Sequence, residues 1–333
     1  MPVTGSRLTL RDRLGSALVR LGINRMRYMV EPGLYAVNRP DGDAPVLVTA
    51  NYKLSFDHLR RSLGQTGAWI LALDTHGINV WCAAGKGSFG TASLCAAIGD
   101  KGLDRLVRHR RLIVPQLGAP GISAHEVKQR SGFAVFYGPV AAKDLPEFFA
   151  RGCRATPAMR RKTFSLAERL VLVPVELTIA LKWALPLAVL LYLSSGIGAG
   201  EGGFWQRAAE QGLWRAAALV GGIAGGSVLT PLLLPVLPGR AFSLKGFVAG
   251  LAVAALFAGA QFFFAAAPLP GLEIGAWLLL ICVLSSFLGM EFTGASTYTS
   301  LSGVKKEMRL ALPLQIGGGL IAVILWLAAR FAG

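Results

Sequence analysis

Five long hydrophobic segments fill the second half of the chain, and they constrain its fold more than any other feature. Each is close to the roughly 20 residues that an α-helix needs to cross the hydrocarbon core of a bilayer. Because backbone groups in lipid must find hydrogen-bond partners within the protein, the pattern predicts an all-α transmembrane bundle of about five helices over residues 170–333. The segments lie near residues 170–195, 213–238, 243–268, 273–291 and 310–330.

The first half of the chain has a different composition and predicts a separate, basic domain. Residues 1–169 contain 25 Lys and Arg against 12 Asp and Glu, whereas residues 170–333 contain nine against six. No helix-turn-helix pattern and no interleaving of aromatic with basic residues supports nucleic-acid binding. Basic residues massed before a first span suit an anionic cytoplasmic leaflet instead. We therefore expect a lipid bilayer as a partner and no nucleic acid.

The charges between the hydrophobic segments predict an orientation. The second and fourth connections carry the basic residues Arg240, Lys305, Lys306 and Arg309. Basic residues stay on the cytoplasmic side, so the pattern predicts a multi-pass protein of the cytoplasmic membrane, with its first half in the cytoplasm and its C-terminus outside. Glu176 and Lys182 interrupt the first segment, either as functional charges within a span or because the span begins only near Trp183.

Residues 45–155 alternate short apolar runs with helical patterns. We predict strands over residues 45–50, 68–73, 111–114 and 133–137. Strands that alternate with helices predict an α/β, Rossmann-like domain whose parallel sheet is covered on both faces. Residues 1–44 are expected to form a basic lead-in, with an amphipathic helix near residues 7–22 that either lies on the membrane or packs on the domain. Residues 156–169 are expected to form a basic linker.

A glycine-rich stretch, residues 74–91, directly follows the second predicted strand, where α/β domains commonly hold cofactors. Asn79 is a predicted N-cap of a short helix that places Cys82 at its third position, with Lys86 on the same face. Gly85 and Gly87 are expected to end this helix after about two turns. The helix N-terminus and the lysine both favour a thiolate, the form that binds metals. The alternative is that Cys82, flanked by tryptophan and alanine, is a small buried hydrophobic residue.

The hexapeptide at residues 85–90 matches G-x-G-x-x-G, the dinucleotide-binding pattern. It follows the predicted Cys82 helix and not a strand, and no acidic residue stands about 20 positions further on. A nucleotide site is therefore not predicted.

Residues 79–86, Asn-Val-Trp-Cys-Ala-Ala-Gly-Lys, resemble the cap-helix motif of the corrinoid proteins of microbial mercury methylation. Residues 51–57, 116–121 and 292–306 also resemble that family. Residues 45–155 further resemble the corrinoid domain of the large subunit of the corrinoid iron–sulfur protein of the acetyl-CoA pathway. That relative lacks the membrane part and places no cysteine under the cobalt.

The resemblance implies a cofactor, an activity and partners. The cofactor would be a cobalamin-type corrinoid, with Cys82 as the lower axial ligand of its cobalt. The activity would be transfer of the cobalt-bound methyl group to inorganic Hg(II), giving methylmercury. The partners would be a ferredoxin-like reductant with two 4Fe–4S clusters and a methyltetrahydrofolate-dependent methyl donor protein.

The candidate corrinoid contacts come from the predicted loops of the α/β domain, because the carboxyl ends of parallel strands meet at one edge of a sheet. The polar members of the set have an alternative role in ordinary turns and caps. His76 departs from the Asp-x-His-x-x-Gly pattern of many corrinoid methyltransferases, so we expect a loop residue there. The candidate contacts are Asn51, Thr66, Thr75, Gly77, Asn79, Val80, Trp81, Cys82, Ala83, Ala84, Gly85, Lys86, Gly87, Thr91, Gln116, Gly118 and Gly138.

Two other functions are compatible with the same residues. One is a membrane-anchored methyl carrier of one-carbon metabolism with a different acceptor. The other is a transporter whose first half senses a corrinoid.

Overall fold

A computed structural model describes residues 1–197, 203–295 and 301–331. The chain forms two compact units, residues 1–163 and the described part of residues 164–333. The first is an α/β unit, and the second contains the five long apolar helical stretches. The predicted fold class is therefore confirmed.

Six strands form one mixed sheet in the first unit. In space their order is β1-β2-β4-β3-β5-β6, and β3, β4, β5 and β6 run parallel to one another. Every residue of β3 and β4 is buried, which is why these two strands read as continuous apolar runs and not as alternating ones. The strands are β1 (Val3–Thr4), β2 (Gly33–Val37), β3 (Val46–Ala50), β4 (Ala68–Leu73), β5 (Arg111–Val114) and β6 (Ala134–Tyr137).

The N-terminal residues differ from the expectation. Residues 1–44, expected as a lead-in, contribute both β1 and β2 to the sheet. β2 runs antiparallel to β4, so the sheet is mixed and not wholly parallel. Four of the five β2 residues are buried, but the strand pairs antiparallel with β4, outside the alternation of strands and helices from which the other strands are predicted.

Helices cover both faces of the sheet. On one face, α4 packs on β4 and α6 packs on β6, and they contribute Leu94 and Val127 to one buried cluster. On the other face, α2 and α7 contribute Phe56 and Phe148. The helices are α1 (Leu10–Arg20), α2 (Lys53–Ser62), α3 (Val80–Lys86), α4 (Thr91–Asp100), α5 (Leu103–Leu106), α6 (Ala124–Ser131) and α7 (Leu145–Ala150).

In the second unit, the regular elements of the described residues are all helices. Short π-helical turns join α10, α11 and α12 into one stretch. The helices are α8 (Leu166–Leu170), α9 (Val173–Ser195), α10 (Phe204–Arg207), α11 (Leu213–Ile223), α12 (Thr230–Leu233), α13 (Phe242–Phe264), α14 (Gly271–Glu291) and α15 (Leu301–Phe331).

Five stretches of this unit are long and apolar enough to cross a membrane. They agree with the five predicted segments and are compatible with a multi-pass membrane protein. They are Leu166–Ser195, Phe204–Leu233, Phe242–Phe264, Gly271–Gly294 and Ser302–Arg330.

A buried ion pair joins three helices of this unit. Arg215 and Glu273 are each 2% exposed, and Arg215 Nε lies 2.6 Å from Glu273 Oε1. Arg215 Nη1 also donates to Ser195 Oγ, and Trp277 Nε1 donates to Glu273 Oε1. Since every charge here has partners, the group ties α9, α11 and α14 together without leaving an unpaired ion in an apolar environment.

The segment 292–306, part of the family resemblance, is shorter as a loop than expected. Phe292–Ala295 forms a 3₁₀ turn and α15 begins at Leu301. Residues 296–300 lie outside the described part of the chain.

Candidate functional site

The carboxyl ends of the four parallel strands lie at one edge of the sheet, hereafter the carboxyl edge. The segment after β4 leads into α3, and the segment after β5 begins with a 3₁₀ turn at Gln116–Gly118. Asn51 directly follows β3 and Gly138 directly follows β6. The fold therefore brings the candidate residues that follow these strands to the same edge, as predicted.

Asn51 organises the turn between β4 and α3. Its side chain is buried, and its Oδ1 accepts hydrogen bonds from the backbone N–H groups of Thr75 and Gly77, both at 3.1 Å. The Thr75 hydroxyl also lies 2.9 Å from this oxygen, and Asn51 Nδ2 donates to Asp74 Oδ1 at 3.3 Å. Gly77 has a φ of +71°, which a residue with a side chain adopts only at a cost in energy.

α3 begins and ends as the sequence predicts. Asn79 Oδ1 accepts from the backbone N–H of Cys82 at 2.9 Å, so Asn79 is the N-cap and Cys82 the third helical residue. Gly87 ends the helix in the left-handed conformation, with a φ of +87°.

α3 turns one face to the core and the opposite face outward. Val80, Ala83 and Ala84 are buried against the sheet. Trp81 and Cys82 are half-buried, and Gly85 and Lys86 are exposed. Cys82 therefore is not one of the residues that pack α3 into the core; the two alanines after it fill that role.

The remaining glycines and Thr91 hold the loops around α3 together. A Cβ at Gly118 would lie 2.5 Å from the ring of Phe89, which is fully buried beneath the loop after α3. Thr91 Oγ1 accepts from the backbone N–H of Ser123 at 2.9 Å. A Cβ at Gly138 would likewise lie close to the side chain of Ile113, at 3.0 Å from its Cγ2. These residues therefore have structural partners within the fold, and Gln116 accepts from a guanidinium N–H of the nearby Arg160.

Thr66 is the candidate residue that the fold places elsewhere. It lies in the turn between α2 and β4, at the amino end of its strand and therefore at the opposite edge of the sheet. It lines a cavity of about 390 Å³ there, together with Val46, Arg111 and Cys153. Thr66 therefore does not share the carboxyl edge with the other candidates, because its turn precedes a strand whereas theirs follow one.

Among the four free cysteines, Cys82 is the one at the carboxyl edge. Cys95 packs against the core from α4, and Cys153 lies near the amino ends of the strands. Burial raises the pKa of both of these thiols, which keeps them in the less reactive protonated form. Cys282 is buried within α14.

The outer face of α3 could accommodate a flat, metal-bearing group. A thiolate is a soft metal ligand, and Cys82 presents its sulfur on this face. A Cβ at Gly85, on the same face, would meet no atom within 4 Å. In the adjoining loop, Ser88 Oγ is buried and has no hydrogen-bond partner among the described residues. A free sulfur, an uncovered glycine and an unsatisfied hydroxyl together form a surface that a bound group can contact.

His76 is exposed beside Asp74, in the loop position that the sequence predicts.

Comparison with known proteins shows that part of the chain is similar to subunits of acetyl-CoA-synthesising enzymes. Residues 24–148 match the family described as CO dehydrogenase/acetyl-CoA synthase delta subunit. Proteins named acetyl-CoA decarbonylase/synthase complex subunit gamma are similar as well. The one from Methanopyrus kandleri is 32% identical over 124 residues, 37% of this chain and 26% of the relative. The one from Archaeoglobus fulgidus is 32% identical over 118 residues, 35% of this chain and 25% of the relative.

The chain thus spans about a quarter of the length of these curated relatives. The family match falls on β2 to β6, α3 and the carboxyl edge, and it stops before the second unit. Residues 24–148 are therefore similar in sequence to the CO dehydrogenase/acetyl-CoA synthase delta subunit family.

Proposed function

We propose that this chain is a corrinoid-dependent methyltransferase that binds its cofactor at the carboxyl edge, with the sulfur of Cys82 as the lower axial ligand of cobalt. Its substrate would be inorganic Hg(II), and its product methylmercury. The observation that carries the proposal is the outward-facing, half-buried sulfur of Cys82 on a helix whose other face is packed into the core. The sequence relationship to acetyl-CoA decarbonylase/synthase subunits supports the corrinoid, and residues 79–86 support mercury as the acceptor.

Transfer of a methyl group to Hg(II) would require an electron-rich ligand at the position of Cys82. When bound, the corrinoid supplies the methyl group and the metal that carries it. Cys82 would hold that group as a thiolate, whose strong electron donation favours release of the methyl with its bonding electrons. Hg(II) is an electrophile and accepts a methyl group in that form. Lys86 lies on the same face of α3 and is a further proposed contact of the bound group.

The other residues of the edge would position and shape the site. Asn51 and Asn79 fix the turn and the start of α3, so that Cys82 faces outward. Gly85 would let a planar ring approach the helix, and Ser88 Oγ offers an unused hydrogen-bonding group to it. Further proposed contacts are Thr75, Gly77, Val80, Trp81, Ala83, Ala84, Gly87, Thr91, Gln116, Gly118 and Gly138.

The proposed reaction needs partners. A ferredoxin-like protein with two 4Fe–4S clusters would return electrons after each transfer. A methyltetrahydrofolate-dependent protein would supply the next methyl group. We further propose that the chain is a multi-pass protein of the cytoplasmic membrane with its first unit in the cytoplasm, where both partners would meet it.

The test uses the purified full-length holoprotein and three single variants. Optical and EPR spectra of the native protein are expected to show sulfur ligation of cobalt, and Cys82→Ala is expected to remove that signature and abolish Hg(II) methylation. Cys95→Ala and Cys153→Ala are matched controls and should retain most activity. Retained methylation in Cys82→Ala, with an unchanged spectrum, would overturn the role of this sulfur.

A second candidate function is methyl transport for one-carbon metabolism with a different acceptor. The observation that favours it is the similarity of residues 24–148 to the CO dehydrogenase/acetyl-CoA synthase delta subunit family. An assay that offers the methylated holoprotein either a mercuric salt or a thiol acceptor separates the two. Transfer to the thiol alone would favour the carrier.

A further inference from the structure

Helix α1 carries an apolar face that no described residue covers. Leu10, Leu14, Leu18 and Leu21 recur at helical spacing and are 73, 57, 46 and 42% exposed. The segment that follows continues the surface with the exposed side chains of Ile23, Met26 and Met29. We define these seven residues as the α1 apolar surface. So many large apolar side chains together mark an interaction site.

The opposite side of α1 is what attaches the helix to the α/β unit. Asp12 lies 2.6 Å from Lys53 Nζ and 2.7 Å from a guanidinium nitrogen of Arg60. Val19 is buried, and a Cβ at Gly15 would lie 2.7 Å from the Tyr28 hydroxyl. The orientation of α1 is therefore fixed with its leucines outward, the reverse of an amphipathic helix that packs its apolar stripe on a core.

The charges around this surface suit an anionic lipid layer. Residues 7–27 contain six arginines, and their one acidic residue, Asp12, is already paired with Lys53 and Arg60. At helical spacing Arg11 lies on one side of the leucine face, and Arg13 and Arg20 lie on the other. A leucine face flanked by arginines is typical of helices that lie in the membrane interface. In helices of that kind, guanidinium groups pair with lipid phosphates and leucines enter the acyl boundary.

We propose that α1 and residues 21–29 form an interfacial anchor that lays the first unit on an anionic leaflet. The same polypeptide continues into helices apolar enough to span a bilayer, so this surface is tethered to lipid. The proposal does not depend on which cofactor the carboxyl edge binds.

The anchor also runs beside the candidate site. The backbone N–H of Val30 donates to Asn51 O at 2.8 Å, and a Cβ at Gly77 would lie 3.3 Å from Met29 Cε. Residues 21–29 therefore border the carboxyl edge near the turn that leads to α3. Contact of this segment with lipid would bring that part of the edge close to the membrane surface.

The test places a photoreactive p-benzoylphenylalanine at Leu14 in the full-length protein, reconstituted in nanodiscs with or without about 30% anionic phospholipid. A matched control places it at Gln129, an exposed position on α6 on the other face of the sheet. We expect lipid adducts at position 14 that exceed those at position 129 several-fold. The excess should fall in zwitterionic nanodiscs and in 1 M salt, which screens the arginines.

Two outcomes would overturn the proposal. Equal lipid adducts at positions 14 and 129 would show that tethering alone explains the contact. Adducts at position 14 to another protein chain, in place of lipid, would identify the α1 apolar surface as a protein interface.

Discussion

Asn51 accepts hydrogen bonds from the backbone of Thr75 and Gly77, and these bonds fix the turn from which α3 begins. Asn79 then caps α3 through the backbone N–H of Cys82. At the scale of single residues, two buried or half-buried amides thus determine where the sulfur points, although neither is a metal ligand. A substitution at either position would alter the orientation of Cys82 without removing its sulfur.

Asn51→Ala should destabilise the carboxyl edge. It leaves the N–H groups of Thr75 and Gly77 without their acceptor in a buried turn. Each unsatisfied group should lower the stability of the turn by about 1–3 kcal/mol. Hydrogen exchange in the full-length protein should show faster exchange over residues 74–82. The exposed neighbour His76 provides the control. His76→Ala should leave the opening free energy of this segment, measured by hydrogen exchange, within about 0.5 kcal/mol of the native value. Unchanged protection in Asn51→Ala would contradict the role given to this amide.

At the scale of elements, α3 offers a variant that separates folding from binding. Gly85→Ala places a methyl group on the exposed face of α3, where no atom lies within 4 Å, and should stabilise the helix by roughly 0.5–1 kcal/mol. If a planar cofactor lies on that face, the same methyl should weaken its binding several-fold. Thermal unfolding of the cofactor-free protein and titration with a corrinoid measure the two effects. A variant that binds as tightly as the native protein would place the cofactor away from Gly85.

Gly118→Ala is the counterpart of this variant in the neighbouring loop. Its Cβ would collide with the ring of Phe89, so it should lower stability by about 1–3 kcal/mol before any effect on binding appears.

The contact between α1 and α2 predicts a dependence on pH. Burial raises the pKa of Asp12, but hydrogen bonds from Lys53, Thr9 and Arg60 outweigh it and hold this pKa well below its usual range. A carboxyl whose pKa is lower in the folded state stabilises that state above its unfolded pKa of about 3.9, and this contribution is lost as pH falls through the folded pKa.

Asp12→Asn should therefore reduce protection of α1 from hydrogen exchange at pH 7, by roughly 1–3 kcal/mol for the lost charged hydrogen bonds. The difference in α1 protection between Asp12→Asn and the native protein should decrease progressively as pH drops below about 4. Asp43→Asn is the control, since the pair of Asp43 with Arg108 is exposed and contributes little. A difference that is independent of pH would show that the Asp12 charge does not stabilise this contact.

The elements that the sequence predicts are those whose local pattern and tertiary environment agree. β4 follows from a continuous apolar run, and α3 from Asn79 and the glycines at its end. β2 could not be predicted, because its five residues become a strand only by pairing with β4. The packed side of α1 was equally hidden, since Asp12 meets Lys53 and Arg60 across more than 40 positions of sequence. Within the site, Ser88 escaped notice because an unsatisfied hydroxyl is visible only in three dimensions.

At the scale of the whole molecule, the two units differ in charge and hydrophobicity as the composition predicts. The α/β unit carries most of the net charge and the candidate site, and the second unit carries the apolar helices. Inside the second unit, Arg215 and Glu273 neutralise each other, so this pair does not bias the orientation, which we assign from the basic residues in and next to the connections. The topology of the chain should therefore follow from those connections.

We predict that the connection around Arg240 lies on the cytoplasmic side and that the end of α15 lies outside. Basic residues resist translocation, and Lys305, Lys306 and Arg309 lie at the N-terminal end of α15. Alkaline phosphatase fused after Arg330 should then be active, whereas green fluorescent protein fused after Arg240 should be fluorescent. The triple change of Lys305, Lys306 and Arg309 to Gln removes the basic residues at the start of α15 while leaving its apolar part unchanged, so it should lower phosphatase activity at the first fusion. Fluorescence at the end of α15 in the native sequence would reverse the assigned orientation and would place the Cys82 edge on the side away from the proposed cytoplasmic partners.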